Sequence, residues 1–189
     1  VLDQAGDTVP DLDDAKDLVN LVNAVNALRA KGQILAYHDR SDGGLLAAVA
    51  EMAFAGHVGV ALNVDMLVTE GDGISDSRME TGDAKNWAQQ VSARREELTL
   101  KALFNEELGV VLQVRTAERN EVMQTLREHG LSKFSHFIGK TRPASSSINA
   151  GKGELQVWRD AKAVFSAPLA DLHQVWDAVS WKICQQRDN

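Results

Sequence analysis

The chain has 189 residues, 44% hydrophobic and 25% charged, with 14 glycines, 3 prolines and one cysteine, a globular balance that excludes disordered, collagenous and disulfide-scaffold classes. Its 27 acidic against 20 basic residues leave a formal charge of -7, which repels a phosphate backbone and offers no basic stripe to nucleic acid or an anionic membrane. One cysteine forms no internal disulfide and completes no paired-thiolate zinc site, which fits a reducing cytoplasm, and the longest uncharged apolar run, Gly43 to Ala50, is far too short to span a bilayer. A soluble chain is expected, and its start at Val1 in polar sequence suggests a piece of something longer.

A first helix is expected from about Asp11 to Ala30, where Leu18, Leu21, Val22, Val25 and Leu28 recur at helical spacing behind Asp11, Asp13 and Asp14, with Gly32 as its stop. Ile34 to Tyr37 reads as a short buried strand, followed by the polar cluster His38 to Gly44. Leu45 to Ala55 is apolar almost all round and predicts a central, buried helix. Val60, Leu62, Val64 and Met66 alternate with polar or small residues as a half-buried strand does. Residues 69–97 break the rhythm and read as a surface excursion with a short helix near Lys85 to Arg94.

Regularity returns at Leu98, where Leu100, Leu103, Phe104 and Leu108 form a helical stripe stopped by Gly109. Val110 to Val114 alternates as a strand, Thr116 to His129 as a helix, and Phe134 to Lys140 as a further strand. A loop over 142–153 precedes a hairpin, Leu155 to Trp158 and Ala163 to Phe165, turned around Asp160. A last amphipathic helix follows Pro168, with Leu169, Leu172, Trp176, Val179 and Ile183 on one face and with Trp176 and Trp181 expected to pack it. The order predicts one α/β sandwich, a mixed sheet covered by helices, in a single domain over 1–189.

The segment richest in chemistry is His38 to Leu46. A strand ending in two carboxylates, a serine and a Gly-Gly pair before a helix gathers oxygen ligands and free backbone N–H groups at one sheet edge. Asp39 or Asp42 could hold Mg²⁺, which takes hard oxygens together with water or phosphate, and Ser41 could donate to a phosphate oxygen. The plainer reading is that Ser41 or Asp42 caps the next helix and that Gly43 and Gly44 make its opening turn. His38 could be an acid/base group, since histidine is the side chain suited to that role near neutrality, yet no Ser or Cys nearby makes a convincing nucleophile pair with it. Glu106 and Glu107 read as a solvated helix end, Cys184 as a packing residue or an incidental thiol, and His57, His129, His136 and His173 lack metal-ligand spacing.

Two long words carry a more specific signal. Tyr37 to Gly59 (YHDRSDGGLLAAVAEMAFAGHVG) and Ala102 to Val114 (ALFNEELGVVLQV), together with the ending from Trp176 to Asn189, resemble the large, single-chain phosphoribosylformylglycinamidine synthases. The resemblance implies an ATP-dependent ligase of purine biosynthesis that takes ammonia from glutamine. Its core contains two copies of the aminoimidazole ribonucleotide synthetase fold, and this chain resembles the C-terminal α/β half of the second. It further implies that Asp39 is a magnesium ligand and Ser41 a nucleotide contact, with Mg²⁺ and ATP or ADP as cofactors in the full-length enzyme. No catalytic residue is implied in this stretch, since the Cys-His-Glu glutaminase and the nucleotide-binding half are other domains and hence the expected partners. A structural, cytoplasmic domain of that ligase is therefore the first expectation. A free-standing, non-catalytic binding module of the same fold is the alternative.

Overall fold

The first helix starts where its sequence supplies a cap: the Asp14 carboxylate accepts the backbone N–H of Lys16 at 2.8 Å, and α1 runs over Ala15–Ala30. The computed structural model describes residues 12, 14–70, 84–142 and 153–188, so the stretches 71–83 and 143–152 lie outside the described residues. The remaining elements are β1 (Ala36–Asp39), α2 (Gly44–Gly56), β2 (Gly59–Asn63), α3 (Asp65–Glu70), α4 (Ala84–Phe104), β3 (Val110–Gln113), α5 (Arg119–Glu128), β4 (Gly139–Arg142), β5 (Glu154–Arg159), β6 (Lys162–Pro168) and α6 (Leu169–Asp188). They divide into two compact units, Val1–Ala48 with Phe104–His136 and Val49–Leu103 with Phe137–Asn189.

In the first unit β1 and β3 pair antiparallel, Ala36 opposite Gln113 and Asp39 opposite Val110. Ala24 and Leu28 of α1 are buried with Val122 and Leu126 of α5 and with Leu131, and Leu21, Ile34, Leu112 and Val114 pack against them. The stripe expected on α1 is thus only partly the buried one, because Leu18 and Val22 are exposed while Ala24 is covered. The strand expected at Ile34 to Tyr37 lies two residues later, since its register with β3 carries pairing through His38 and Asp39.

The second unit holds a mixed four-stranded sheet in the order β4-β2-β5-β6, in which only β2 and β5 run parallel. The mixed α/β class stands, but the described strands form two sheets rather than one. Leu155 and Val157 of β5 are fully buried, as are Val64 and Val68. From Gly44 through Phe54 every residue of α2 is buried or half-buried, as its apolar composition requires.

Four elements differ from the sequence expectation. Asp65 and Met66 begin α3 rather than end a strand, because the Asn63 side chain accepts the Asp65 N–H at 2.8 Å and turns the chain into a helix. The end of the 69–97 excursion and the helix expected after it are one 21-residue helix, α4. The strand expected at Phe134 to Lys140 is a 3₁₀ turn over Ser132–Phe134, and β4 starts only at Gly139. Trp181 does not pack α6: it is 57% exposed, and every described residue from Val179 onward is exposed. Trp176 rests against the Phe54 ring at 5.9 Å and donates its indole N–H to Glu51 at 2.8 Å.

The hairpin forms where expected, closed by Asp160 and Ala161, both at positive φ (51° and 59°), the geometry of a type I′ turn. Asp160 is anchored there, its N–H bonded to Asp65 at 2.8 Å and its carboxylate to Arg95 at 2.7 Å. Ala161 has no such compensation for a left-handed backbone that favours glycine. Ala161→Gly is expected to stabilise the protein by about 0.5–1 kcal/mol, the left-handed penalty of alanine less the added unfolded-state entropy of glycine. Urea unfolding measures it, and a destabilised variant would refute the assignment of strain.

Candidate functional site

The alternation of β1 fixes what the polar cluster presents. Tyr37 and Asp39 sit two residues apart on the strand's exposed face, while Ala36 and His38 are half-buried. The Tyr37 phenol donates to Asp39 Oδ1 at 2.5 Å, within the range of a charge-assisted O–H···O⁻ bond. Partial burial, then the bond to Asp39 and its charge, push the Tyr37 pKa up to about 12, so the phenol keeps its proton throughout the neutral range. His38 Nδ1 lies 2.6 Å from the Asp39 carbonyl oxygen, a local contact with the backbone.

After β1 the chain turns toward α2. Gly43 and Gly44 both have positive φ, and a Cβ on Gly43 would stand 2.7 Å from that of Ala47, so the Gly-Gly pair is required by the turn itself. The Ser41 carbonyl accepts the Gly44 N–H at 2.8 Å, while Ser41 and Asp42 are exposed. The side chain received at the start of α2 is that of Glu106, whose Oε1 accepts the Gly43 N–H at 2.8 Å from 63 residues away. Glu106 is therefore a partner of this turn and not merely part of a solvated helix end.

Arg40 joins the same two segments. Its Nε donates to the Glu107 carbonyl at 2.6 Å, its Nη2 to the Leu108 carbonyl at 3.2 Å, and its backbone N–H to the Gly109 carbonyl at 2.8 Å. A Cβ on Gly109 would meet the guanidinium at 3.1 Å. Burial lowers the Arg40 pKa and the Glu107 charge raises it, and an arginine remains cationic at neutral pH in either case. The two words of the sequence, 38–44 and 105–109, thus form one locked structure inside the first unit.

Of the candidate site residues, Asp39 and Ser41 lie on the exposed side of this structure and Asp42 beside them. Sequence reasoning passed over Tyr37, Arg40 and the pairing role of Glu106. For Tyr37 the i,i+2 spacing before Asp39 was an available signal, whereas contacts across more than 60 residues left none. Among the described residues no group of three or more His, Cys, Asp or Glu side chains could hold a metal ion. The donors fit Mg²⁺ only as a contributing edge: Asp39 supplies one hard carboxylate, and an octahedral shell needs further oxygens from elsewhere. Cys184 is exposed, and His173 stands edge-on to the Phe54 ring at 5.1 Å. No helix among the described residues is long and apolar enough to cross a membrane.

Residues 2–148 match the family model described as AIR synthase related protein, C-terminal domain. The chain is 33% identical over 186 residues to the phosphoribosylformylglycinamidine synthase of Schizosaccharomyces pombe, which covers 98% of this chain and 12% of that protein. Its fold is similar to the PurLQS structure from Thermotoga maritima, with a TM-score of 0.57 and 15% identity over 84% of this chain and 22% of the other. The T. maritima PurL complexed with ATP gives the same TM-score and identity over 85% of this chain and 22% of the other. With the family's model spanning most of its length and the fold agreeing, the chain belongs to the AIR synthase related proteins as a C-terminal domain of that family.

Proposed function

We propose that residues 1–189 serve as one domain of a large phosphoribosylformylglycinamidine synthase, the C-terminal half of its second synthetase copy. In this reading the whole enzyme is the cytoplasmic, ATP- and glutamine-dependent ligase that converts formylglycinamide ribonucleotide to formylglycinamidine ribonucleotide. The domain itself carries no catalytic group. It supplies Asp39 and Ser41 to one edge of a Mg-nucleotide site, and a nucleotide-binding half and a glutaminase domain complete the enzyme as its partners. When bound, Mg²⁺ would neutralise phosphate charge there. The chain's own part is to hold the Asp39 carboxylate and the Ser41 hydroxyl on the exposed side of a turn that Arg40 and Glu106 fasten.

The single observation that carries the reading is 33% identity to a synthase of that name over 98% of the chain. The T. maritima PurL complexes with ATP and with ADP add support for nucleotide binding in relatives of this fold. Asp39→Ala and Ser41→Ala, each made in the full-length ligase, are expected to lower the nucleotide content of the purified protein, Asp39→Ala the more strongly. Content measured by chromatography after denaturation and found unchanged in both variants would count against the assignment.

A further inference from the structure

We infer that Tyr37 is a positioning residue for the Asp39 carboxylate, holding it in the orientation in which it serves a divalent cation. The inference rests on the Mg-nucleotide reading above and adds a residue to it. Two observations and one physical argument support it together. Tyr37 and Asp39 share the exposed face of β1, whose pairing with β3 sets Tyr37 opposite Leu112 and Asp39 opposite Val110, so the backbone beneath both is fixed. The phenol reaches Oδ1 at 2.5 Å, which ties up one oxygen and leaves Oδ2 for a cation. A lone aspartate at a strand end would rotate about its last torsion, and a donor on one oxygen removes that freedom before any ion arrives.

A neutral donor also suits this task better than a cationic one. Lysine or arginine at position 37 would compete with the ion for the carboxylate, whereas a phenol orients it and leaves its charge in place. The next residue in line, His38, is turned to the backbone carbonyl of Asp39. Arg40 is held by the carbonyls of Glu107 and Leu108. Tyr37 is the neighbour whose side chain is bonded to this carboxylate.

The test compares Tyr37→Phe, Asp39→Asn and the parent full-length ligase by titrating Mn²⁺ in the presence of ADP and reading free Mn²⁺ by electron paramagnetic resonance. Tyr37→Phe keeps a ring that is 46% exposed and removes only the hydroxyl, so the fold is not at stake. The expected result is abolition of this Mn²⁺ site in Asp39→Asn and a loss of Mn²⁺ affinity on the order of tenfold in Tyr37→Phe. The melting temperature of the cation-free protein should be unchanged in Tyr37→Phe. Loss of the site in Asp39→Asn with parental affinity in Tyr37→Phe overturns the positioning role and leaves the metal reading intact. So does an affinity loss that comes with an equally lowered melting temperature in cation-free protein. Parental affinity in Asp39→Asn overturns the metal reading and the positioning role with it.

Discussion

Arg40→Ala is expected to destabilise the protein by about 2–3 kcal/mol, because it deletes two hydrogen bonds from a charged donor and leaves the part-buried Glu107 carbonyl without its partner. The geometry explains why arginine is needed. Nε and Nη2 lie on one edge of a planar fork, and the carbonyls of Glu107 and Leu108 follow one another along the chain, so a single rigid group satisfies both. A lysine has one ammonium on a flexible stem and can face only one of them well. Arg40→Lys is therefore expected to recover no more than about half of the loss. The consequence reaches the candidate site, because Glu106 holds the Gly43 N–H only while 105–109 stays in place. Urea unfolding followed by circular dichroism measures the stability, and hydrogen exchange at the amides of residue 40 and Gly43, which donate to Gly109 and Glu106, measures the local release. A loss below about 0.5 kcal/mol, the level of an ordinary surface substitution, or lysine equal to arginine, would remove the latch from the description.

How far this arrangement was legible in the sequence depends on the range of each interaction. Features decided within a few residues could be read: the apolar run of α2, the end of α1 at Gly32, and the hairpin turned around Asp160. The shift of β1 to Ala36–Asp39 could not, because the residues that pair with it lie in β3, more than 70 positions away. Asn63 turning the chain into α3 is a local signal, but it stands inside an alternating pattern that favours a strand, and the side-chain bond to Asp65 decides the outcome. At the candidate site, Asp39 and Ser41 drew attention because carboxylates and hydroxyls beside glycines have recognisable chemistry. Arg40 looked like one more charge in a polar cluster, and only the fold shows its guanidinium against backbone carbonyls. The outer part of the α6 stripe misled in the opposite sense: Val179 and Ile183 recur at helical spacing and predict a buried face, yet both are more than half exposed, as is Trp181.

The exposure of α6 against the burial of β5 sets up the sharpest test of where the second unit keeps its stability. Leu155→Ala is expected to cost about 3–4 kcal/mol, since the side chain is wholly buried and its removal leaves a cavity that a sheet interior closes poorly. β5 is an interior strand, with Leu155 opposite Val60 of β2 on one side and Ala167 of β6 on the other, so neither neighbour can shift inward without breaking its own ladder. Val157, two residues on and equally buried, loses fewer atoms on truncation, and Val157→Ala is expected to cost less. Val179→Ser changes a residue 69% exposed on α6 and is expected to stay within about 0.5 kcal/mol of the parent. Calorimetric or urea unfolding of the three variants gives the order directly. If Val179→Ser destabilised as strongly as Leu155→Ala, the face of α6 would be covered in solution and the sheet interior would not be the dominant core of this unit.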